Sequence, residues 1–360
     1  MPGRVILDHR AFVEAFPELS SPLHGKEREN EEDGENAAQH IEGPFNLASF
    51  WKISDKITLP RGDLWTCFEK KDYSPTDAQA LLCPASSPGY NLVKKDWGYF
   101  DIDLLEDIVW ALNPLNELEI DPLRKEILRD LIMEHHSKPW SNDIVSGKGE
   151  GLIFLLGGPP GCGKTLTAEL MAEEDKRALL RISCGDLGQH PYEVERNLQA
   201  LLKLALRSSA VVLIDEADTF LTERTAGGST RNYFHSAIVS IFLRHLEYFP
   251  GVIFLTTNQE SEIDNAVSSR AIRLNYGPLN ARSRAKIWRN HLLRAEESTV
   301  DKSIEPVCEE FGDKYELDGR EIQTLIQLSL TICRRRRQKV SKEIIQQMYD
   351  LTHGTKENLL

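Results

Sequence analysis

Residues 152–170 read LIFLLGGPPGCGKTLTAEL, and this stretch decides the fold of the chain. A short apolar run breaks on glycines and prolines and then continues in a pattern typical of a helix. Residues 158–165 fit the pattern Gly-x-x-x-x-Gly-Lys-Ser/Thr at every fixed position. The order of strand, glycine-rich loop and helix therefore predicts a loop that binds phosphate.

Each fixed residue of this loop has a physical task. Glycines let the backbone curl so that successive N–H groups point at the phosphates, and the following helix aims its positive end at the same place. Lys164 is expected to reach the β- and γ-phosphates, and the Thr165 hydroxyl is expected to bind Mg²⁺. A chance lysine in a glycine-rich turn is the alternative, and the flanking strand and helix count against it. The predicted nucleotide-binding residues of this segment are Gly158, Pro159, Pro160, Gly161, Cys162, Gly163, Lys164, Thr165 and Leu166.

Acidic residues follow a second apolar run in VVLIDEAD, residues 211–218. Asp215 and Glu216 come at its carboxyl end, and ligands of open parallel sheets bind at that edge. Asp215 is predicted to hold Mg²⁺ through its water shell, while Glu216 polarises a water molecule. Asn258 ends the next strand, where its amide can hydrogen-bond the terminal phosphate and the attacking water. Each signal is weak alone, but loop, acids and amide occur in order on successive strands.

The rest of the chain fits around this site. Over residues 151–276, apolar strands alternate with helices, which predicts a parallel sheet covered on both sides. Residues 46–103 hold short extended pieces and turns and predict a small β-rich unit, and the chain after residue 280 is expected to be helical. Another helix is predicted from Asp121, with four residues at helical spacing, namely Leu123, Ile127, Leu128 and Leu131.

Composition limits the compartment and the partners. The formal net charge is −13, and residues 1–45 hold ten acidic and four basic residues, so nucleic acid is not the expected partner. The six cysteines form no Cys-x-x-Cys pair, which is typical of reduced thiols in a cytoplasmic or nuclear protein. No apolar stretch is long enough to span a membrane, and the first residues fit neither a signal peptide nor a mitochondrial presequence. We therefore expect a soluble cytoplasmic or nuclear protein.

Several segments in register resemble the AAA+ ATPases over about residues 120–350. They are LIFLLGGPPGCGKTLTAE, VVLIDEADTFL, FLRHLEY and FLTTNQ. The chain is still more similar to a group of fungal AAA-domain proteins that carry an accessory domain upstream of the motor. Residues 81–103, LLCPASSPGYNLVKKDWGYFDID, resemble the end of that accessory domain. Those relatives are usually longer at the amino end, so a shortened accessory domain is expected here.

The resemblance implies an α/β fold of the P-loop NTPase type. We expect a three-layer αβα sandwich with a parallel sheet, a C-terminal all-helical lid and a small β-rich accessory unit before the sandwich. ATP and Mg²⁺ are expected between the sandwich and the lid. The expected domains are a disordered acidic tail (1–45), a partial β-rich accessory domain (46–110), the AAA+ αβα nucleotide-binding domain (111–278) and the helical lid (279–360).

In this family the site lies at a subunit interface, which implies a homo-oligomeric ring, expected to be a hexamer. An arginine of the neighbouring subunit would reach the γ-phosphate, with Arg270 as the first candidate and Arg273 as the second. Arg320, at the start of a lid helix, would contact the γ-phosphate of its own subunit. Asp143 and Ile144 would lie near the adenine. For each arginine, a solvated surface residue is the open alternative.

The function implied by the resemblance is an ATP-hydrolysing motor that remodels an unidentified protein substrate. The alternative is a scaffold that binds ATP and assembles with little turnover, and the acidic balance disfavours a third candidate, a DNA-associated loader. Two departures from the family bear on this choice. Residues 185–188, GDLG, lack the aromatic residue of loops that thread polypeptides, and residues 232–235, NYFH, replace an acid–Arg–Asn pattern that faces the next subunit.

Overall fold

The computed structural model of the chain describes residues 3–8, 11–12, 15, 85–137, 150–221, 230–259, 263–294 and 306–354. The predicted residues Asp143 and Ile144 therefore lie outside the described residues, as does most of the predicted acidic tail. The chain divides into two compact units. Unit 1 comprises Met1–Phe12, Pro88–Gly98 and Glu106–Leu360, and unit 2 comprises Val13–Ser87 and Tyr99–Leu105.

The described residues contain eight strands and eleven α-helices. The strands are β1 (Val5–Leu7), β2 (Ser86–Asn91), β3 (Asp96–Asp101), β4 (Leu152–Gly157), β5 (Leu179–Ile182), β6 (Val211–Ile214), β7 (Val252–Thr257) and β8 (Ile272–Asn275). The helices are α1 (Pro122–Ser137), α2 (Lys164–Glu174), α3 (Cys184–Leu187), α4 (Pro191–Arg207), α5 (Asp218–Leu221), α6 (Thr230–Tyr248), α7 (Asn265–Ser268), α8 (Ala281–Leu293), α9 (Val307–Lys314), α10 (Gly319–Arg336) and α11 (Lys342–His353). Two 3-10 turns cover Ile102–Leu104 and Pro114–Glu117.

Five parallel strands form the central sheet in the order β5-β6-β7-β4-β8. Every residue of β4, β6 and β7 is buried, because helices cover both faces of a parallel sheet. These strands are continuous apolar runs in the sequence because both of their faces are buried. The carboxyl ends of β4, β6 and β7 lie at one edge of the sheet, where these strands are neighbours in the order β6-β7-β4.

Two apolar clusters cover the two faces of the sheet. On one face Phe154 and Phe254 stack with ring centroids 4.9 Å apart and pack against residues of α1 and α2. On the other face Leu155 and Leu255 pack against residues of α4 and α6. Successive residues of a strand point to opposite faces, so one strand supplies both clusters. The layers confirm the predicted three-layer αβα sandwich.

A separate sheet with strand order β1-β2-β3 is formed near the N-terminus, where β1 and β2 are antiparallel. This sheet confirms the small β unit that the sequence predicts. The prediction of a disordered tail over residues 1–45 is wrong for β1, which is a paired strand. Arg4 beside β1 donates to both carboxylate oxygens of Glu173 at 2.7 and 2.9 Å and lies 4.4 Å from the centre of the Trp110 ring. These contacts hold β1 to the end of α2.

Unit 2 is described over residues 15, 85–87 and 99–105. These include one end each of β2 and β3 and a 3-10 turn, at which the Ile102 N–H donates to the Ala85 carbonyl at 2.9 Å. The predicted accessory domain over 46–84 lies outside the described residues.

The C-terminal part of the chain consists of α8 to α11. Its core contains the fully buried side chains Trp288, Phe311, Ile322 and Ile345, with the rings of Trp288 and Phe311 5.3 Å apart. This confirms the predicted all-helical segment, called the lid below. Within the described ranges, no helix has the length and apolarity needed to cross a membrane.

Candidate nucleotide-binding site

The predicted phosphate loop connects β4 to α2, and its glycines have left-handed backbone. Gly161 has a φ of +70° and Gly163 a φ of +99°. A Cβ on Gly161 would lie 2.3 Å from Cγ of Asp318, whereas a Cβ on Gly163 would meet no atom within 4 Å. The loop is therefore packed closely on one side and leaves room for a ligand on the other.

The side chain of Lys164 lies inside this loop and is almost entirely buried. Its ammonium donates to the carbonyls of Gly158 and Pro159 at 2.8 and 2.7 Å and to Oδ1 of Asn258 at 2.9 Å. Burial lowers the pKa of Lys164, and the charge of Arg320 lowers it further. A cation that is already desolvated and surrounded by neutral acceptors is well suited to receive an anionic phosphate.

Thr165 and Asp215 form the predicted metal-binding pair. Oγ1 of Thr165 donates to Oδ1 of Asp215 at 3.1 Å, while Oδ2 of Asp215 lies 3.8 Å from Nη2 of Arg181. A hydroxyl and a half-buried carboxylate supply the hard oxygen ligands that Mg²⁺ prefers, so these residues fit that ion. Among the described residues, no group of three or more His, Cys, Asp or Glu could hold a metal ion by itself.

Thr256 of β7 makes hydrogen bonds with both residues of the acidic pair Asp215 and Glu216. Oγ1 of Thr256 donates to Oδ1 of Asp215 at 2.6 Å and accepts the N–H of Glu216 at 3.0 Å. The Thr256 carbonyl accepts the N–H of Ala217 at 2.8 Å. Glu216 is exposed and has a φ of +55°, which is unusual for a residue with a side chain. Sequence reasoning missed Thr256, although its place two residues before Asn258 was a signal that could have identified it.

The N-terminus of α10 in the lid contacts the phosphate loop. The N–H of Gly319 donates to the carbonyl of Gly161 at 3.1 Å. Asp318 caps the helix, because its Oδ1 accepts the N–H of Glu321 at 2.8 Å. Arg320 follows with an exposed side chain, close enough to Lys164 to lower the pKa of that lysine. The bond from Gly319 thus places the start of α10, which carries Arg320, against the phosphate loop.

The two candidate neighbour-facing arginines lie after β7 and have other partners. Nη1 of Arg270 donates to the Ala266 carbonyl at 2.8 Å, and Nη2 lies 3.9 Å from Oε1 of Glu247. Nε of Arg273 donates to the Ser268 carbonyl at 3.3 Å. Both side chains are exposed. The structure therefore does not bring Arg270 or Arg273 to the phosphate loop of their own chain.

A cavity of about 320 Å³ adjoins the phosphate loop at Cys162. It lies between the start of α1, the end of β8 and the start of α8, and its lining includes Ile120, Asp121, Tyr276 and Ser283. The Tyr276 hydroxyl is 2.6 Å from Oγ1 of Thr167, and burial raises the pKa of this tyrosine to about 12. Sequence reasoning missed Tyr276, for which an aromatic residue directly after β8 is the only signal.

Residues 185–188, which lack an aromatic side chain, belong mainly to the short helix α3. Asp186 accepts the N–H and the hydroxyl of Ser183, both at 2.6 Å, and this caps the helix. The ammonium of Lys95, in the turn between β2 and β3, donates to Asp186 and to Oγ of Ser183. Burial opposes ionisation of Asp186, but the bonds from Lys95 and Ser183 outweigh it and lower the pKa of that carboxyl.

Comparison with known proteins agrees with this geometry. Residues 154–279 match the family described as "ATPase family associated with various cellular activities (AAA)". The chain is similar to spastin of Drosophila persimilis, at 28% identity over 186 residues that cover 49% of this chain and 23% of that protein. Spastin of Drosophila melanogaster matches at the same identity and covers 24% of its own length. The chain thus spans about a quarter of the length of these curated relatives. The matches and the parallel sheet together support an AAA ATPase domain over the matched residues.

Proposed function

We propose that this chain binds and hydrolyses ATP at the carboxyl edge of its central sheet. The observation that carries the proposal is the hydrogen bond between Lys164 of the phosphate loop and Asn258, the residue directly after β7, next to the Thr165–Asp215 pair. Three separate strands thereby deliver a cation, an amide and a carboxylate to one place. That constellation suits the transfer of a phosphoryl group, which needs mainly positioning and neutralisation of charge.

Each residue has a distinct part in the proposed reaction. Lys164 neutralises the β- and γ-phosphates, and Asn258 holds the terminal phosphate and the attacking water by hydrogen bonds. Glu216 is exposed at the site and orients that water through its carboxylate. Thr165 and Asp215 would hold Mg²⁺, which when bound neutralises phosphate charge. We propose that the adenine occupies the cavity beside Cys162, with the predicted residues Asp143 and Ile144 contributing from outside the described part of the chain.

We propose further that a second subunit completes the site. Arg270 is exposed and lies two residues after the short helix α7, so a contact between subunit surfaces could bring it to the γ-phosphate of a neighbour; Arg273 is the second candidate. Arg320 would act within its own subunit, since it directly follows Gly319, whose N–H donates to the phosphate loop at Gly161. Arginines that act in this way accelerate phosphoryl transfer by on the order of 10³–10⁵-fold. The proposed assembly is a homo-oligomeric ring, with a hexamer as the expected size.

The proposed work of the ring is to remodel a protein substrate. The runner-up is a scaffold that assembles with ATP but turns it over slowly. One observation favours the scaffold, because residues 185–188 offer no aromatic side chain and α3 is tied to Lys95. The proposed domains remain 111–278 for the sandwich and 279–360 for the lid. The cytoplasmic or nuclear location and the fungal resemblance stay predictions.

Turnover as a function of protein concentration separates the motor from the scaffold. The steady-state ATPase rate per subunit is measured for wild type and for Glu216→Gln, with tight ATP binding checked in both. A rate per subunit that rises steeply with concentration and is lost in Glu216→Gln supports a motor with shared sites. Tight ATP binding with a flat rate near zero favours the scaffold. Absence of ATP binding by wild type would contradict both.

Mixing of inactive subunits tests the neighbour arginine. Arg270→Ala lacks the arginine but keeps the phosphate loop, whereas Lys164→Ala lacks the loop cation but keeps Arg270. Mixed rings should regain partial turnover, because some interfaces then combine an intact loop with an intact arginine. Arg335→Ala is the matched control, since this exposed arginine lies at the far end of α10. No regained activity in rings shown to be mixed would count against Arg270, and the same mixing with Arg273→Ala would then follow.

A further inference from the structure

We propose that Thr256 is a positioning residue that sets the geometry of both acidic groups, Asp215 for the metal and Glu216 for the water. The inference rests on the proposed ATPase function and deepens it. Thr256 is 2% exposed, so its hydroxyl is out of reach of bulk solvent and its bonds to the acidic segment determine its orientation. No substrate atom needs to touch this residue for it to act.

The register of the sheet places Thr256 beside the acidic pair. β6 and β7 are parallel, with Ile214 opposite Leu255, so the next residues of the two strands are Asp215 and Thr256. The hydroxyl of Thr256 then serves as donor to Oδ1 of Asp215 at 2.6 Å and as acceptor for the Glu216 N–H at 3.0 Å. One hydroxyl therefore links the side chain of one acid to the backbone of the next.

Oδ1 of Asp215 accepts a second hydroxyl from the opposite side, from Thr165 at 3.1 Å. The carboxylate is thus held between α2 and β7, and its oxygens have fixed directions. Because metal sites depend on the orientation of their ligands, groups that hydrogen-bond a ligand tune the affinity for the ion. Thr256 stands in that relation to Asp215.

The backbone of Glu216 gives independent support. Its φ of +55° is a left-handed conformation that residues with a Cβ adopt only when the surroundings enforce it. The Thr256 hydroxyl accepts the N–H of Glu216, and the Thr256 carbonyl accepts the N–H of Ala217 at 2.8 Å. Two bonds from a single residue therefore fix the backbone turn at Glu216, whose side chain is exposed.

Loss of the hydroxyl should separate two properties of the site. The bonds of Lys164 to the phosphate loop do not involve Thr256, so nucleotide binding without metal should persist. Metal binding and turnover should both weaken, because Asp215 loses a donor and the Glu216 N–H loses its acceptor. The expected signature is a fall in kcat with little change in the KM for ATP.

The test compares Thr256→Val, which keeps the shape and removes the hydroxyl, with Thr256→Ser, which keeps the hydroxyl. Thr257→Val is the matched control, because Thr257 is equally buried on the same strand but its Oγ1 accepts only the Gln259 N–H, at 2.9 Å. Affinity for Mn²⁺ is measured by electron paramagnetic resonance with a non-hydrolysable ATP analogue bound. Nucleotide affinity is measured in EDTA, and kcat and KM are measured for ATP.

We expect Thr256→Val to bind Mn²⁺ about 10- to 100-fold more weakly, as for other groups that orient metal ligands, and to lose kcat in parallel. Thr256→Ser should stay near wild type in both, and Thr257→Val should lose much less than Thr256→Val. Equal Mn²⁺ affinity in wild type and Thr256→Val would overturn the inference, whether or not wild type hydrolyses ATP. A wild type whose Mn²⁺ affinity depends on Thr256 but that does not turn over would instead overturn the proposed ATPase function. If Thr256→Val does not fold, Thr256→Ala against Thr256→Ser gives the same comparison.

Discussion

Gly161→Ala should uncouple the lid from the phosphate loop. Two penalties arise at this position. An L-residue in left-handed backbone costs about 1–2 kcal/mol, and Gly161 has a φ of +70°. The new Cβ would also lie 2.3, 2.5 and 2.6 Å from Cγ, Oδ2 and Cβ of Asp318, distances at which atoms must move.

The second penalty follows from what Asp318 does. Moving its side chain removes the N-cap of α10, which is worth about 1 kcal/mol. Moving the helix end lengthens the bond from the Gly319 N–H to the Gly161 carbonyl, which is worth about 1 kcal/mol. We therefore expect Gly161→Ala to lower the free energy of unfolding by about 3–4 kcal/mol, of which about 2 kcal/mol comes from the displaced Asp318 and the helix end that it caps.

The assay is urea unfolding of a double-mutant cycle. Asp318→Gly removes all three crowding atoms and leaves a residue that N-cap positions tolerate, so alone it should cost only a few tenths to about 1 kcal/mol. In that background Gly161→Ala should lose only the backbone term of about 1–2 kcal/mol. Gly163→Ala is the control, because no atom lies within 4 Å of its Cβ and Asp318→Gly should leave its effect unchanged. Additive effects of Gly161→Ala and Asp318→Gly would refute the reasoning.

Three further predictions concern the rest of unit 1. Lys95→Met should destabilise the protein by about 1–3 kcal/mol, because Asp186 loses a charged donor. Amide hydrogen exchange should become faster in α3 but not in β4, and an equal change in both elements would contradict this. Phe254→Ala should lower the free energy of unfolding, measured in urea, by about 3–5 kcal/mol, because the ring is fully buried and stacked on Phe154. A decrease below about 1 kcal/mol would show that the core closes around the gap. Acidification below pH 6.5 should lower the melting temperature, because buried histidines resist protonation in the folded chain while the same histidines are protonated in the unfolded chain. Their contribution to stability is fully present above the unfolded pKa of 6.5 and is lost as the pH falls toward their lower folded pKa values. The histidines whose pKa is lowered by burial are His135, His245 and His291. Replacing all three by glutamine should flatten the dependence of the melting temperature on pH between about pH 8 and 5.5, and an unchanged dependence would exclude them as its cause.

The site could be predicted from sequence to the extent that each residue follows a buried strand. The phosphate loop, Asp215 and Asn258 are read from their order, and the parallel sheet then brings strand ends together without further information. Thr256 escaped, because a threonine in an apolar run is typical of any β-strand. Its importance depends on the register between β6 and β7, and a single sequence does not contain that register.

Helix α1 shows the same limit in the fold. The spacing correctly predicts the helix and the burial of Leu128, but Leu123 and Ile127 of the predicted stripe are exposed, at 63% and 48%. Ile132 is buried instead, because the sheet contacts a face rotated from the one with most apolar residues. Periodicity defines a helix, whereas the identity of its buried side depends on where neighbouring elements lie. The short strand β1 was missed for a related reason, since three residues carry no period and its partner is far along the chain.

The pairing of β1 with β2 also bears on where the length of the chain could be changed. Leu7 lies opposite Gly89, so the two parts of unit 1 that flank residues 13–87 are joined by paired strands. A segment with neighbouring ends behaves as a cassette: its length changes the entropy of closure only slowly, by roughly 0.6 kcal/mol per doubling. Ala11 and Phe12 are buried in unit 1, so the stretch whose length could be changed begins only after them. A new segment inserted after Phe12 would therefore leave the paired strands β1 and β2 in place.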